Sequence, residues 1–163
     1  MSSPEFTEIE RKYLLKSDAW RAETDGPGLV IRQGYLARGV CTVRVRVRGE
    51  EAWLTVKGAR VGASRPEFEY AVPLADAMRM LDLLCAKPLI EKRRHLVRAE
   101  GCVFEIDEFL GENAGLVVAE VELASEDQVV TLPGWIGEEV TDDPRYYNSN
   151  LVRNPYSRWG GKG

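Results

Sequence analysis

Thr42-Val43-Arg44-Val45-Arg46-Val47-Arg48 alternates valine with arginine in strict succession. A period of two is that of an extended strand, whose successive side chains point to opposite faces. The arginines therefore share one face and the valines the other. Residues 41–48 are expected as a strand, Gly49-Glu50-Glu51 as a hairpin turn, and residues 52–57 as the returning strand, with Thr55 and Lys57 on one face.

The same period recurs outward from this hairpin. Residues 8–15 carry Glu8, Glu10 and Lys12 on one face, and residues 29–37 contain Gln33-Gly34-Tyr35-Leu36. Residues 67–72 pair Glu67 with Glu69 before Pro73 ends the strand. Residues 89–97 pair Lys92 with Arg94, 102–109 pair Glu105 with Asp107, and 116–123 pair Glu120 with Glu122. One long helix is expected over 74–86, where Leu74, Ala77, Met78, Leu81, Leu84 and Cys85 recur at helical spacing. Ser125-Glu126-Asp127-Gln128 reads as the capping box of a short helix. Asp143-Pro144 supplies a cap and a first-turn proline for another, over about 144–151. The tail from Asn154 to Gly163 is expected to fray. Trp53 and Trp135 are expected to pack under helices.

Composition bounds the function. At 163 residues the chain is expected to be one domain, large enough to bury a core without staples. A net charge of -4 argues against a nucleic-acid coat. Cys41, Cys85 and Cys102 are odd in number and form no C-x-x-C pair, so they read as reduced structural thiols. No apolar run reaches the roughly 20 residues of a membrane span, and no signal-peptide core is visible. A soluble, cytoplasmic protein is the expectation, with no membrane and no nucleic-acid partner. His95 is the only histidine, which leaves little for a histidine metal site or a Ser-His-Asp triad. The glycines form neither a P-loop nor a dinucleotide-binding turn.

Two arrangements satisfy the charged faces. They are the solvated side of an antiparallel sheet, or they converge on the lumen of a closed barrel whose apolar faces point outward under helices. Ordinary solvent faces mix signs, whereas these strands divide into acidic and basic ones, which favours the barrel. Its lumen needs a highly charged guest: an anion gripped by the basic strands, with metals held by the acidic ones.

Glu8-x-Glu10-x-Lys12 resembles the E-x-E-x-K signature of the CYTH superfamily, the triphosphate tunnel metalloenzymes. Further matches follow in order: Arg44-Val45-Arg46, Thr55-Val56-Lys57, Arg65-x-Glu67-x-Glu69, Glu91-Lys92-x-Arg94, Phe104-Glu105-Ile106-Asp107, Glu120-Val121-Glu122 and Asp142-x-x-Arg145-Tyr146-x-Asn148. The resemblance implies a mainly β (α+β) protein built on an eight-stranded antiparallel tunnel with a charged lumen. It would fill residues 1–153 and include a plug helix at one mouth. It also implies that Glu8, Glu10, Asp107, Glu120 and Glu122 bind metal, Mg²⁺ or Mn²⁺ and two ions. Lys12, Arg44, Arg46, Lys57, Lys92 and Arg94 then bind phosphate, with Lys12 and Tyr35 at the reacting group and Glu67, Glu69 and Arg145 in support. Arg48 and Arg93 are extra cations with no role implied, and Arg60, in a polar loop, is expected to matter little.

The activity implied is metal-dependent hydrolysis of inorganic triphosphate, a small anionic substrate. Alternatives are thiamine triphosphate hydrolysis, class IV-type adenylyl cyclisation, or non-catalytic binding of polyphosphate or a nucleoside triphosphate. The full set of carboxylates argues against the binder, because a pure anion binder gains by shedding negative lumen charge.

Overall fold

The computed structural model describes residues 6–160. Among them nine strands form: β1 Thr7–Leu15, β2 Leu29–Ala37, β3 Thr42–Arg48, β4 Glu51–Lys57, β5 Ser64–Ala71, β6 Ile90–Ala99, β7 Cys102–Phe109, β8 Val117–Glu122 and β9 Ile136–Glu139. Two α-helices accompany them, α1 Leu74–Leu83 and α2 Asn148–Arg153. Eight strands close into an antiparallel barrel in the order β1-β5-β4-β3-β2-β6-β7-β8, the eight-stranded tunnel that the resemblance implies. The seam is β1, which pairs with β5 at residues 7–9 and then, further along, with the unanticipated β9.

Register decides what faces inward. Arg44, Arg46 and Arg48 lie opposite Thr55, Trp53 and Glu51 on β4, and opposite Tyr35, Gln33 and Ile31 on β2. Paired residues of an antiparallel ladder project on the same side, so all of these belong to the lumen. Trp53, expected under a helix, is therefore luminal and carries the Arg48 guanidinium 4.9 Å above its ring. Parity alone accounts for this, since Trp53 shares a face with Thr55 and Lys57.

The apolar core lies mostly outside the barrel wall. Val45, Val47 and Ala52 meet Ala77, Leu81 and Cys85 beneath α1. This helix ends at Leu83, short of the expected residue 86, because the Leu84 and Cys85 amides both turn back to the Met80 carbonyl. Leu84 and Met78, counted on its apolar stripe, are exposed. Gly34 lets the helix end approach β2, since a Cβ there would lie 2.6 Å from the Cys85 Cβ. A second cluster joins Val97, Phe104, Ile106 and Ala119 to Trp20 and Trp135. Here Trp135 stands edge-on to Phe104 at 5.5 Å.

A third cluster closes one tunnel mouth. Tyr35, Ile90, Phe109 and Val118 line it, and Tyr146, Leu151 and Val152 press into it. The expected continuous helix is broken: Pro144–Tyr146 is a 3-10 turn, Tyr147 is extended, and α2 follows. Residues 155–159 do not fray as expected. Tyr156–Arg158 forms a 3-10 turn, and Trp159 stands edge-on to Tyr146 at 5.2 Å and to Tyr156 at 5.1 Å. Residues 1–5 and 161–163, at the ends of the expected domain and tail, lie outside the described residues. Residues 125–128 are a turn rather than a helix, with Gln128 Oε1 accepting from the Ala124 amide. The chain reaches Pro133 too soon for a helix to propagate. No helix among the described residues is long and apolar enough to cross a membrane.

Candidate active site

The lumen holds a chamber of about 250 Å³ whose walls are mostly charged. Glu8, Glu10, Lys12, Tyr35, Arg44, Arg46, Lys57, Glu67, Glu69, Lys92, Arg94, Glu120 and Glu122 all line it. Nearly every expected site residue is thus brought together. Arg145 is not: it is exposed and pairs with its neighbour Asp143 at 2.7 Å. Arg93 lies outside the chamber with a guanidinium bond to the Pro27 carbonyl at 3.4 Å, whereas Arg48 is on the chamber wall.

The acidic side is crowded. Glu10 lies opposite Glu122 in the β1–β8 ladder, and Lys12 opposite Glu120. Burial, together with the charges of Glu120 and Glu8, pushes the Glu10 carboxyl up to about 8. Burial also raises Glu8, but Lys57, hydrogen bonding with Glu67 and the nearby Arg65 outweigh it and hold Glu8 at about 2. Lys57 Nζ reaches Glu8 at 2.9 Å and Glu67 at 3.2 Å, and Arg65 Nε reaches Glu8 at 3.3 Å. Glu67 is raised to about 7 by burial and its bond to Glu8. Burial likewise raises Glu120, but Lys12, Arg94 and Lys92 hold it well below the usual carboxylate range. Among the described residues no three carboxylates converge on one point as they stand. The donor set nevertheless fits a hard divalent cation: it is all oxygen, anionic and mutually repelling, so that one member must take a proton.

The basic side holds unspent donors. Arg46 donates Nε to Gln33 Oε1 at 2.7 Å and, among the described residues, makes no ion pair. Burial beside Arg44 and Arg94 lowers its pKa to about 9. Arg44 reaches Thr55 Oγ1 at 3.2 Å and Glu69 only at 3.9 Å, while its buried Nε has no partner. A guanidinium desolvated without a carboxylate, as that of Arg46 is, suits a bidentate anion.

Asp107, expected as a metal ligand, is committed elsewhere. Arg94 grips both its oxygens, at 2.8 and 2.9 Å, and Lys92 Nζ lies at 2.6 Å. Burial raises this carboxyl, yet Arg94 and Lys92 hold it at about 2. Lys92 is fully buried, and its amine is lowered to about 7 by burial despite Asp107, with Arg94 and Arg46 adding to the decrease.

The plug completes the closed end. Asn148 Oδ1 accepts from Lys92 Nζ at 2.7 Å and from Gln33 Nε2 at 3.1 Å. Lys12 Nζ donates to the Tyr146 carbonyl at 3.1 Å, lies 3.8 Å from Glu120, and sits over the Tyr147 ring. Gln33, Thr55, Arg65 and Asn148 had been given no role, although strand parity with Tyr35, Lys57 and Glu67 marks the first three as luminal. Arg60, expected to be a bystander, reaches Glu10 at 3.3 Å. No strand period extends into its loop to reveal this.

The sequence model of the CYTH domain matches residues 7–150, nearly the whole barrel and its plug. The chain belongs to the CYTH family. Among CYTH relatives, the inorganic triphosphatase of Acetivibrio thermocellus is 50% identical over 153 residues, 93% of this chain and 97% of that protein. The inorganic triphosphatase of Nitrosomonas europaea is 37% identical, covering 90% of this chain and 97% of that one. A crystal structure of an inorganic triphosphatase superposes with a TM-score of 0.64 at 32% identity, over 93% of this chain and 95% of its own.

Proposed function

We propose that this protein is a metal-dependent hydrolase of inorganic triphosphate, acting inside the barrel. The observation that carries the reading is the division of one chamber between cations, among them Arg46 buried with no carboxylate partner among the described residues, and carboxylates crowded enough that one of them keeps a proton. A phosphate chain with its divalent cations satisfies both halves at once. Full-length relatives named inorganic triphosphatase narrow the substrate class.

In this reading Glu8, Glu10, Glu120 and Glu122 would hold Mg²⁺ or Mn²⁺, two ions in all, and Glu67 and Glu69 would support them. The metal supplies Lewis-acid polarisation of phosphate oxygens and acidifies bound water. Arg44, Arg46, Lys57, Lys92 and Arg94 bind the phosphate chain and offset the charge that develops on its oxygens. Asp107 acts by holding Arg94 and Lys92 in place rather than as a ligand. Lys12 and Tyr35 orient the chain at the plugged end, and Lys92 can hold or release a proton near neutral pH. The plug favours a guest without a large organic group.

The test is phosphate release from triphosphate, pyrophosphate, ATP and thiamine triphosphate, with metal and with chelator. Metal-dependent release with the highest kcat/KM on triphosphate is expected. Turnover undiminished by saturating chelator refutes the metal role. A preference for ATP yielding pyrophosphate and a cyclic nucleotide makes the protein a cyclase, and a preference for thiamine triphosphate changes the substrate.

A further inference from the structure

The connection between β4 and β5 folds back over the acidic end of the tunnel and brings Arg60 with it. The side chain is largely buried. Its Nη2 donates to Glu10 Oε1 at 3.3 Å, its Nη1 to the Ala63 carbonyl at 3.2 Å, and the guanidinium lies 5.6 Å from the Tyr147 ring centroid. Its Nε, shut off from solvent, has no partner. Lys57 and Arg65, which hold Glu8, both line the chamber and can turn to a phosphate there, whereas Arg60 does not line it. Among the described residues the one acidic side chain it pairs with is Glu10.

That contact is weak for a buried pair. It is single-pronged and long, whereas Arg94 in the same barrel grips Asp107 with two bonds at 2.8 and 2.9 Å. Charge-assisted bidentate pairing is the stronger arrangement. Glu10 lies opposite Glu122 in the β1–β8 ladder, and among the described residues Arg60 is its one ion-pair partner.

We propose that Arg60 is the resident cationic partner of the Glu10 carboxyl group, whose place a divalent metal takes on binding, so that Arg60 sets the metal affinity of the site. The inference rests on the metal-dependent reading above. Its loop is latched from outside the tunnel, where Glu126 Oε1 accepts from the Ala63 amide at 2.9 Å. By weakening metal binding on its own, Arg60 makes loading depend on the phosphate chain bringing its share of charge.

Calorimetric titration of the intact protein with Mn²⁺ alone tests this. Arg60→Gln should bind Mn²⁺ about tenfold more tightly than wild type, because a competing charge is gone, and Arg60→Lys within about twofold of it. A merely structural role moves affinity the other way, since a ligand's support is lost. Unchanged or weaker binding by Arg60→Gln overturns the proposal. Should circular dichroism show that variant unfolded, Glu126→Ala, which releases the loop from outside, should tighten Mn²⁺ by about threefold, and no tightening overturns it equally. The titration contains no phosphate compound. Wild type that binds Mn²⁺ but leaves triphosphate intact therefore counts against the proposed function alone, and Mn²⁺ binding absent from both wild type and Arg60→Gln overturns both.

Discussion

Replacing Glu10 by glutamine should make the metal-free protein less sensitive to rising pH. The Glu10 carboxyl is raised from an ordinary value of 4.5 to about 8, by burial first and then by Glu120 and Glu8. A folded-state value above the unfolded one means that the folded protein holds a proton the unfolded chain has released. The stabilisation is therefore complete below about 4.5 and is lost as pH rises toward 8. Between pH 5.5 and 7.0 the loss runs at roughly 1.4 kcal/mol per pH unit, or about 2 kcal/mol in all. Glu67, raised to about 7, adds to the slope across the window and fades near its top, in wild type and variant alike. Lys92, lowered to about 7, acts with opposite sign above it, because its unfolded form then keeps a proton that the folded form sheds. The window accordingly stops at 7.0. Urea unfolding of wild type and Glu10→Gln in chelator, at both pH values, gives the difference directly. Wild type should lose about 2 kcal/mol more than the variant, and saturating Mg²⁺ should abolish its extra loss. A stability gap that changes by less than about 0.5 kcal/mol between the two pH values would refute the crowding of Glu10.

Three further outcomes follow from the chamber. Chelator should abolish phosphate release and Mg²⁺ or Mn²⁺ restore it, while Glu8→Gln should lower kcat/KM by about a hundredfold with the circular dichroism spectrum unchanged. Arg46→Gln should raise KM for triphosphate by roughly ten- to a hundredfold, since it removes donors that no carboxylate occupies; an unmoved KM would argue that Arg46 faces solvent rather than substrate. Leu151→Ala should cost about 3 kcal/mol in urea unfolding by opening a cavity in the cluster at the plugged mouth, and should narrow the preference for triphosphate over ATP measured as a ratio of kcat/KM.

What was legible in the sequence was whatever a period of two could carry. Val43 to Arg48 specify both a strand and its faces, because one slipped residue would bury three arginines in the apolar shell and expose three valines to the chamber. The same parity located Glu8, Glu10, Lys57, Lys92 and Glu120. It located Trp53 too, whose bulk nonetheless suggested a place under a helix rather than in a lumen. Loops carry no such period. Arg60 reaches Glu10 only because the β4–β5 connection folds back on the barrel, and Arg145 turns outward because Asp143, two residues away, is its nearest anion. The tail was misread for a related reason: Trp159 looks isolated in sequence, and its partners Tyr146 and Tyr156 become a cluster only after the chain has crossed the tunnel mouth.

The pairing of opposite charges across the lumen also explains why metal and substrate should arrive together. Eight cations and seven carboxylates line the chamber, so its formal charge is close to zero despite the density of ionised groups. Such a chamber has no large net attraction for a bare anion, and the ion pairs already formed oppose one: Lys57 must loosen from Glu8 and Glu67 before it can serve a phosphate. A metal alone meets the mirror-image obstacle at Glu8 and Glu10, which already hold Lys57, Arg65 and Arg60. When both enter, each internal pair is exchanged for two new ones, carboxylate to metal and cation to phosphate. The desolvation cost that makes buried charges unfavourable is then shared with the metal–phosphate pair itself. Binding of the two should therefore be cooperative, and by linkage the factor by which triphosphate tightens the metal must equal the factor by which the metal tightens triphosphate.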